Sequence, residues 1–167
     1  MILHCSRELA ARLPEVSSQP LEEASPLGSW HGHLFRLGRR QCLMFCHDDS
    51  RYLLFLPGLR KAQLMDLRRW HRALYLATLE AQGVDLARLR RVELALGPMT
   101  YDKFTDRSVM GTIRVARQDL ELQLRGEPDV LALDPVAVSL HLNRRPLTIR
   151  GAWVWPHEEM AKRIAAL

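Results

Sequence analysis

The segment from residue 99 to residue 111 gathers side chains that could recognise a small anionic ligand. Its polar members are Tyr101, Asp102, Asp106, Arg107 and Ser108. A helix is predicted to begin at Thr105 or Asp106, and the first turn of a helix presents free N–H groups and the positive end of the helix dipole. Arg107 can hold a carboxylate or phosphate through two parallel hydrogen bonds, and Ser108 can add another donor. The segment therefore predicts a phosphate or carboxylate pocket.

The same residues also allow a purely structural interpretation. Asp106 and Ser108 can cap the helix, while Gly111 can let another element pack closely. The two interpretations differ in what Arg107 does. If Arg107 binds a ligand, replacing it by alanine should leave the melting temperature nearly unchanged, whereas a structural role predicts a large loss of stability.

Histidines and cysteines in the region 30–47 raise the question of a metal site. A hairpin turn predicted at residues 38–39 would place His31 opposite Cys46, so that His31, His33 and Cys46 could converge on one zinc ion. Cys42 and Cys46 cannot share an ion, because four residues of strand separate them by roughly 13 Å. The sequence has no CxxC or HExxH motif, and solvated histidines near a strand edge are the simpler explanation. We therefore predict no metal site and no cofactor.

The sequence contains no motif for nucleophilic catalysis or nucleotide binding, since neither GxSxG nor a phosphate-binding loop is present. The three cysteines lie in apolar surroundings and are predicted to be buried free thiols, which favours a reducing cytoplasm. His71 lies among arginines on a predicted helix. It could act as a base beside a phosphodiester, as small ribonucleases require, or pack at the edge of the helix's apolar stripe.

The chain is basic, with a net charge of +5, and only three of its 24 basic residues are lysines. The arginines form clusters at residues 36–40, 60–61, 68–72, 88–91 and 144–145. Such clusters could attract nucleic acid. Nearby carboxylates such as Asp66, Asp85 and Glu93 would neutralise part of this charge, and a GC-rich genome would also enrich arginine. Trp153 and Trp155 share a face of a predicted strand. They could be core residues, an interface anchor or a platform on which bases stack.

The strand predictions define a sheet. The clearest β region consists of three runs at residues 30–37, 41–47 and 51–56, with Gly38 suited to a two-residue type II′ turn. The second and third runs are apolar on both faces, which is typical of strands inside a sheet that helices cover. Further strands are predicted at residues 2–5, 92–96 and 147–155.

The helix predictions rest on apolar spacing and on capping residues. One long helix is predicted over residues 59–82, with a stripe of Leu67, Trp70, Leu74, Ala77 and Ala81. A second is predicted over residues 106–125, ended by Gly126, with a stripe of Val109, Ile113, Ala116, Leu120 and Leu124. Shorter helices are predicted after Ser6 and Asp85, at residues 135–142, and from Pro156 onwards.

Together these elements predict one α+β domain over residues 1–167. Its sheet is antiparallel or mixed, has about four to six strands, and packs with two long amphipathic helices and shorter ones. The proline- and serine-containing stretch 14–29 is predicted to be an ordered surface loop. No apolar run approaches the length of a membrane helix, and the first residues lack the features of a secretory signal, so we expect a cytoplasmic protein.

Three short patterns resemble a family of small bacterial proteins known as a domain of unknown function. They are Ser6 and Leu9 after the opening strand, Pro-Leu-Gly-Ser-Trp at residues 26–30, and Thr-Asp-Arg-Ser-Val-Met-Gly at residues 105–111. The likeness covers roughly residues 1–125. It implies a discrete bacterial domain and directs attention to the helix that begins near residue 106, but it implies no activity.

These observations favour a non-catalytic binding or interaction protein whose helix start binds an anion. One alternative is a nucleic-acid-binding protein or a small toxin-like ribonuclease that uses Arg107, Ser108 and His71. Another is a metal-dependent enzyme at the hairpin of residues 30–47. The expected partner is accordingly a protein or a nucleic acid, and not a membrane.

Overall fold

A computed structural model describes residues 1–124, 129–149 and 151–167. Its main sheet has five strands, namely β1 (Ile2–Cys5), β2 (Trp30–Leu37), β3 (Arg40–His47), β4 (Leu53–Leu56) and β5 (Thr100–Asp102). Their spatial order is β4-β3-β2-β1-β5. β1 is parallel to β2 and β5, whereas β3 is antiparallel to β2 and β4. The predicted α+β class with a mixed sheet is confirmed.

The helices of the described residues are α1 (Arg7–Ala10), α2 (Lys61–Met65), α3 (Leu67–Ala81), α4 (Leu86–Leu96), α5 (Arg107–Gln123), α6 (Pro135–Asn143) and α7 (Pro156–Ala165). A 3-10 turn spans Val130–Ala132. As predicted, Ser6, Asp85 and Asp106 cap α1, α4 and α5 through their side chains, and Pro156 opens α7. The predicted end of α5 at Arg125 and Gly126 lies outside the described residues.

The β2–β3 hairpin has the predicted turn and register. Leu37 pairs with Arg40 across a two-residue turn, and Gly38 has a φ of +56°. Arg39 is not among the residues with positive φ, which matches a type II′ turn. The same register places His31 opposite Cys46.

The strand β4 lies at the edge of the sheet, so the prediction that it is an interior strand was wrong. It is nevertheless fully buried, because α6 covers the outer edge of the strand. Asn143 accepts a hydrogen bond from Leu53 N at 2.7 Å and donates one to Leu53 O at 2.8 Å. The Ser139 hydroxyl accepts from Phe55 N at 3.0 Å. Side chains of a helix thus satisfy backbone groups that a sixth strand would otherwise pair.

The predicted long helix at residues 59–82 is two helices, because the backbone at Asp66 leaves the helical region with φ −130° and ψ 48°. Its buried face is also rotated from the predicted stripe. The buried residues of α3 are Leu67, His71, Leu74, Tyr75, Thr78 and Leu79. Trp70 is 39% exposed instead. The predicted stripe was based on leucine, alanine and tryptophan spacing. It therefore left out His71, Tyr75 and Thr78, which are also buried in α3.

Residues 92–96 form the last part of α4, and the predicted strand there was wrong. Leu89, Val92 and Leu96 are buried at helical spacing, and Gly97 ends the helix with a φ of +57°. Five alternating residues are too few to distinguish a strand from one face of a helix. The strand that completes the sheet is β5, which the sequence analysis did not predict.

Near the C-terminal end of the chain, the helix at residues 135–142 is confirmed, but the strand at 147–155 is a separate hairpin. Its strands are β6 (Leu147–Ile149) and β7 (Ala152–Val154). Trp153 is 72% exposed, so it is not a core residue.

The sheet separates two apolar clusters. One lies between the sheet and α3, α4 and α7, and the other lies between the sheet and α5 and α6. Cys5, Cys42 and Cys46 are buried free thiols, as predicted. Within the part of the chain that the structure describes, no helix is both long and apolar enough to cross a membrane.

A polar cluster at the start of α5

Three polar residues lie side by side across the parallel strands. His4 on β1 is in register with His31 on β2 and with Asp102 on β5. Residues in register on neighbouring strands point to the same face of a sheet, here the face that α5 covers. With residues of the β3–β4 turn and the α5 start they form a set that we call the α5-start cluster. Its members are His4, His31, Asp48, Arg51, Asp102, Asp106 and Ser108.

His4 is held by a fully buried carboxylate. Asp102 Oδ1 lies 2.6 Å from His4 Nδ1 and also accepts from Phe104 N at 3.1 Å, while Oδ2 accepts from Leu21 N at 3.3 Å. Because a carboxylate only accepts hydrogen bonds, this pairing places a proton on Nδ1 of His4. The other ring nitrogen, Nε2, lies 3.7 Å from Asp48 Oδ2, and the His4 side chain is 16% exposed. His4 therefore has one anchored nitrogen and one that is free to meet a ligand.

His31 connects the sheet to the helix. Its Nε2 accepts a hydrogen bond from the backbone N–H of Asp106 at 2.6 Å, so its proton is on Nδ1, which donates to Asp48 Oδ1 at 2.6 Å. The His31 and His4 rings are 4.8 Å apart between centroids. Both nitrogens of His31 are therefore engaged, and the start of α5 is tied directly to β2.

The first turn of α5 is capped from within. One carboxylate oxygen of Asp106 accepts from Ser108 N at 2.8 Å and from Val109 N at 2.9 Å. The hydrogen bond from Val109 N is the main reason why the pKa of Asp106 lies below its usual value. Asp106 therefore caps the helix as the structural interpretation expected, whereas the Ser108 hydroxyl accepts a hydrogen bond from Arg51 instead. Gly111 does not allow a close approach by another element, since no described atom of another element lies within 4 Å of a Cβ placed on it.

Arg51 belongs to this cluster, although it was not among the residues predicted to form a site. It is the single non-glycine residue with positive φ (57°) in the described ranges, and it is only 8% exposed. Its guanidinium donates to Asp48 O and, at 3.1 Å, to Ser108 Oγ, while its Nε has no partner. A left-handed backbone costs a non-glycine residue about 1–2 kcal/mol. The sequence shows a turn at residues 48–50, but turn composition does not reveal where the next side chain points.

The five residues predicted to bind a ligand are only partly together. Asp102, Asp106 and Ser108 are in the cluster, and Arg107 is exposed beside it, with no ion pair among the described residues. Tyr101 is in register with Leu3 and packs against the opposite apolar cluster. Adjacent residues of a strand point to opposite faces, so Tyr101 and Asp102 cannot line the same pocket.

A family model for a domain of unknown function, DUF6933, matches residues 2–159. This chain belongs to the DUF6933 family. The match extends past the expected residues 1–125, and it includes α6 and every member of the α5-start cluster. No curated protein and no solved structure is detectably similar to this DUF6933 protein.

The geometry of the DUF6933 protein does not favour zinc binding by His31, His33 and Cys46. Both nitrogens of His31 are hydrogen-bonded, and the Cys46 thiol is fully buried with its pKa raised by burial. His33 stacks on Phe35 with ring centroids 5.9 Å apart. Nowhere in residues 1–124, 129–149 or 151–167 are three or more His, Cys, Asp or Glu side chains arranged to hold a metal ion.

The proposed ribonuclease combination of Arg107, Ser108 and His71 is wrong on geometric grounds. His71 lies on α3 and packs against Trp30 and Phe45, on the face of the sheet opposite α5. It is fully buried, and burial lowers its pKa to about 3. The three side chains therefore cannot meet at one phosphodiester.

Two of the basic clusters are partly neutralised by the carboxylates expected to do so. Arg72 forms an ion pair with Glu93, and Arg88 forms one with Asp85 at 3.5 Å. Exposed pairs of this kind contribute little to stability, but they reduce the local positive charge.

Proposed function

We propose that this DUF6933 protein binds a small ligand that carries a carboxylate, and that Nε2 of His4 takes up a proton from solvent when this ligand binds. Arg51, Arg107 and Ser108 hold the carboxylate at the start of α5. The observation that carries the proposal is the buried Asp102–His4 pair, whose 2.6 Å contact leaves Nε2 of His4 as the reactive nitrogen.

The unpaired guanidinium of Arg51 supports an anionic ligand. A buried charge without a counter-ion is costly, and removing one partner from a buried pair typically destabilises a protein by about 3–5 kcal/mol. Arg51 is buried and forms no direct ion pair with a carboxylate among the described residues, although its charge is one of the causes that lower the pKa of the nearby Asp106. A carboxylate ligand would supply a direct counter-ion and could accept from Ser108 and the exposed Arg107.

The charge of the cluster argues against a dianion. Its three carboxylates, Asp48, Asp102 and Asp106, outnumber the guanidinium groups of Arg51 and Arg107. All three carboxylates already accept hydrogen bonds from His31, His4 and the α5 backbone. A phosphate dianion would meet more repulsion than a carboxylate at the same distance, because Coulomb energy scales with charge.

The pairing of His4 supports proton exchange rather than binding alone. A buried carboxylate that orients a histidine fixes its tautomer and stabilises the imidazolium that forms when the other nitrogen takes up a proton. His31 lacks this freedom, since both of its nitrogens are engaged. His4 is therefore the group of the cluster that can give or take a proton.

The test is an NMR titration with acetate as the probe. The amide signals of Arg107 and Ser108 and the Nε–H signal of Arg51 should shift in a saturable way. Arg51→Gly and Arg107→Ala should weaken the titration, while Arg114→Ala, an exposed arginine further along α5, is the matched control. Equal titration curves for all of these variants would refute anion binding at this site.

Calorimetry tests the role of His4 separately. Acetate binding measured in two buffers of different ionisation enthalpy reports the number of protons exchanged. His4→Gln should still bind acetate, because glutamine can donate to Asp102, but it should exchange fewer protons. An unchanged proton count would reject His4 as the exchanging group and leave a binding protein without acid–base chemistry.

A further inference from the structure

A second candidate site lies on the other face of the sheet, in the groove between α3 and α4. The groove has a volume of about 580 Å³. Its walls are formed by Asp66, Arg68, Arg69, Arg72, Ala73, Leu76 and Glu93. We call it the α3–α4 groove. Nothing in the proposed function involves these residues.

The groove combines net positive charge with an apolar wall. Arg72 is paired with Glu93 across the two helices, whereas Arg68 and Arg69 are exposed and make no ion pair within the described residues. Three guanidinium groups thus face two carboxylates, and Ala73 and Leu76 supply apolar surface. A ligand matched to this surface carries one negative charge and an apolar body.

Beneath the groove is a small void that shares three of its residues. The void measures about 10 Å³ and is lined by Met1, Arg68, His71, Arg72, Glu93, Leu96, Gly97 and Met99. Such a volume is at the lower limit for one water molecule. The groove and the void are therefore neighbours with common wall residues, and His71 lines the void.

His71 is the strongest sign that this region binds something. It is fully buried, and neither of its ring nitrogens has a hydrogen-bond partner. The Nε1 of Trp30, whose ring centroid is 4.6 Å from that of His71, also lacks a partner. An unsatisfied buried polar group costs about 1–3 kcal/mol, so three such atoms together require an explanation.

We propose that the α3–α4 groove binds an amphiphilic carboxylate. Arg68 and Arg69 hold its charged group, Ala73 and Leu76 contact its apolar body, and His71 hydrogen-bonds to it through a water molecule in the void. Guanidinium groups suit a carboxylate because their paired N–H groups match its two oxygens. The ligand class follows from the charge and the apolar wall together, since neither feature alone selects it.

The experiment compares three probes by NMR titration, namely octanoate, octanol and acetate. Octanoate should bind best, because it alone combines a carboxylate with an apolar chain. Signals of α3 and α4 should shift, together with the ring nitrogens of His71. Equal binding of octanol and octanoate would mean that the groove is only an apolar surface, and it would overturn the proposal.

Charge-matched double variants identify the arginines. Arg68→Ala with Arg69→Ala should weaken octanoate binding at least about tenfold, the effect of losing charge-assisted hydrogen bonds. Arg90→Ala with Arg91→Ala removes the same charge from exposed positions of α4 outside the groove and should leave binding unchanged. Equal losses in both double variants would point to non-specific attraction and reject the site.

The contribution of His71 has its own test. His71→Leu replaces the imidazole by an apolar side chain of similar size, and it should weaken octanoate binding by a few fold without unfolding the protein. A different result would refute the contact through the void. In that case octanoate would move the signals of Arg68 and Arg69 but not those of His71, and it would bind His71→Leu as tightly as the wild type.

Discussion

The histidines of the α5-start cluster and His71 beside the α3–α4 groove differ in their hydrogen bonding. On the α5 face, His4 and His31 each bind a carboxylate at 2.6 Å, which fixes the position of their protons. On the α3 face, His71 is completely buried and has no hydrogen-bond partner. The difference shows that burial alone does not define the role of a histidine. Hydrogen bonds to carboxylates fix the tautomers of His4 and His31, whereas no hydrogen bond among the described residues fixes the tautomer of His71.

The largest expected effect concerns Asp102, the carboxylate that pairs with His4. Asp102→Ala removes the acceptor of His4 and of two backbone N–H groups. Because it leaves three partly buried donors without this acceptor, we expect the free energy of unfolding to fall by about 3 kcal/mol. Urea unfolding at pH 7 measures this change. Asp102→Asn, which keeps the shape, is the milder control, and a loss below about 1 kcal/mol for the alanine variant would contradict the importance of the pairing.

His71, which has no hydrogen-bond partner, should make the stability of the protein depend on pH. The folded-state pKa of His71 is about 3. In the unfolded chain its imidazole titrates near 6.5, so below that pH the unfolded state binds a proton that the folded state does not. Stability from this residue is fully present above pH 6.5, and it is lost at about 1.4 kcal/mol per pH unit as the pH falls from 6 towards 4.

His71→Leu isolates this effect from that of other groups, including His33 and His47, whose pKa values are also lowered by burial. The free energy of unfolding should be measured for both proteins between pH 7 and pH 4. The variant should lose less stability than the wild type across this range. Parallel curves would show that the pKa of His71 is the same in the folded and unfolded states, and the contrast between His71 and the paired histidines would fail.

A smaller effect concerns the strained backbone at Arg51. Arg51→Ala and Arg51→Gly both remove the guanidinium, but only glycine adopts the φ of +57° without strain. We therefore expect the glycine variant to be more stable than the alanine variant by about 1 kcal/mol. Thermal unfolding of the two proteins side by side provides the comparison. Equal stability would mean that the left-handed backbone at this turn is not strained.

The smallest expected effect distinguishes binding from structure at the start of α5. Arg107 is exposed, so Arg107→Ala should change the free energy of unfolding by no more than about 0.5 kcal/mol. Differential scanning calorimetry measures this change. A loss of several degrees in melting temperature would assign Arg107 a structural role and remove it from the ligand site.

Features that depend on a few neighbouring residues were predicted well. The caps at Ser6, Asp85 and Asp106 and the turn at Gly38 were expected and are present. They are readable because each depends on a hydrogen bond or a backbone angle within a few residues. Because the length of the turn fixes the register of a hairpin, the position of His31 opposite Cys46 was also predicted correctly.

The failures occurred where short patterns admit two structures. Residues 92–96 alternate like a strand but belong to a helix, and the break at Asp66 has no proline or glycine to mark it. The edge position of β4 was hidden because Ser139 and Asn143, more than 80 residues away, satisfy its backbone. An apolar strand looks the same in sequence whether another strand or a helix covers its edge.

The fold class, the helix that begins after Asp106 and the turn of the hairpin could be predicted without the fold, because they depend on local propensity and capping. Which polar residues meet could not, because their contacts depend on how distant strands pair. His4 and Asp102 are 98 positions apart and become neighbours because β1 pairs with β5, a strand too short to predict. Likewise, Arg51 reaches Ser108 across 57 positions. Long-range pairing is a property of the whole packed sheet, and no single segment contains it.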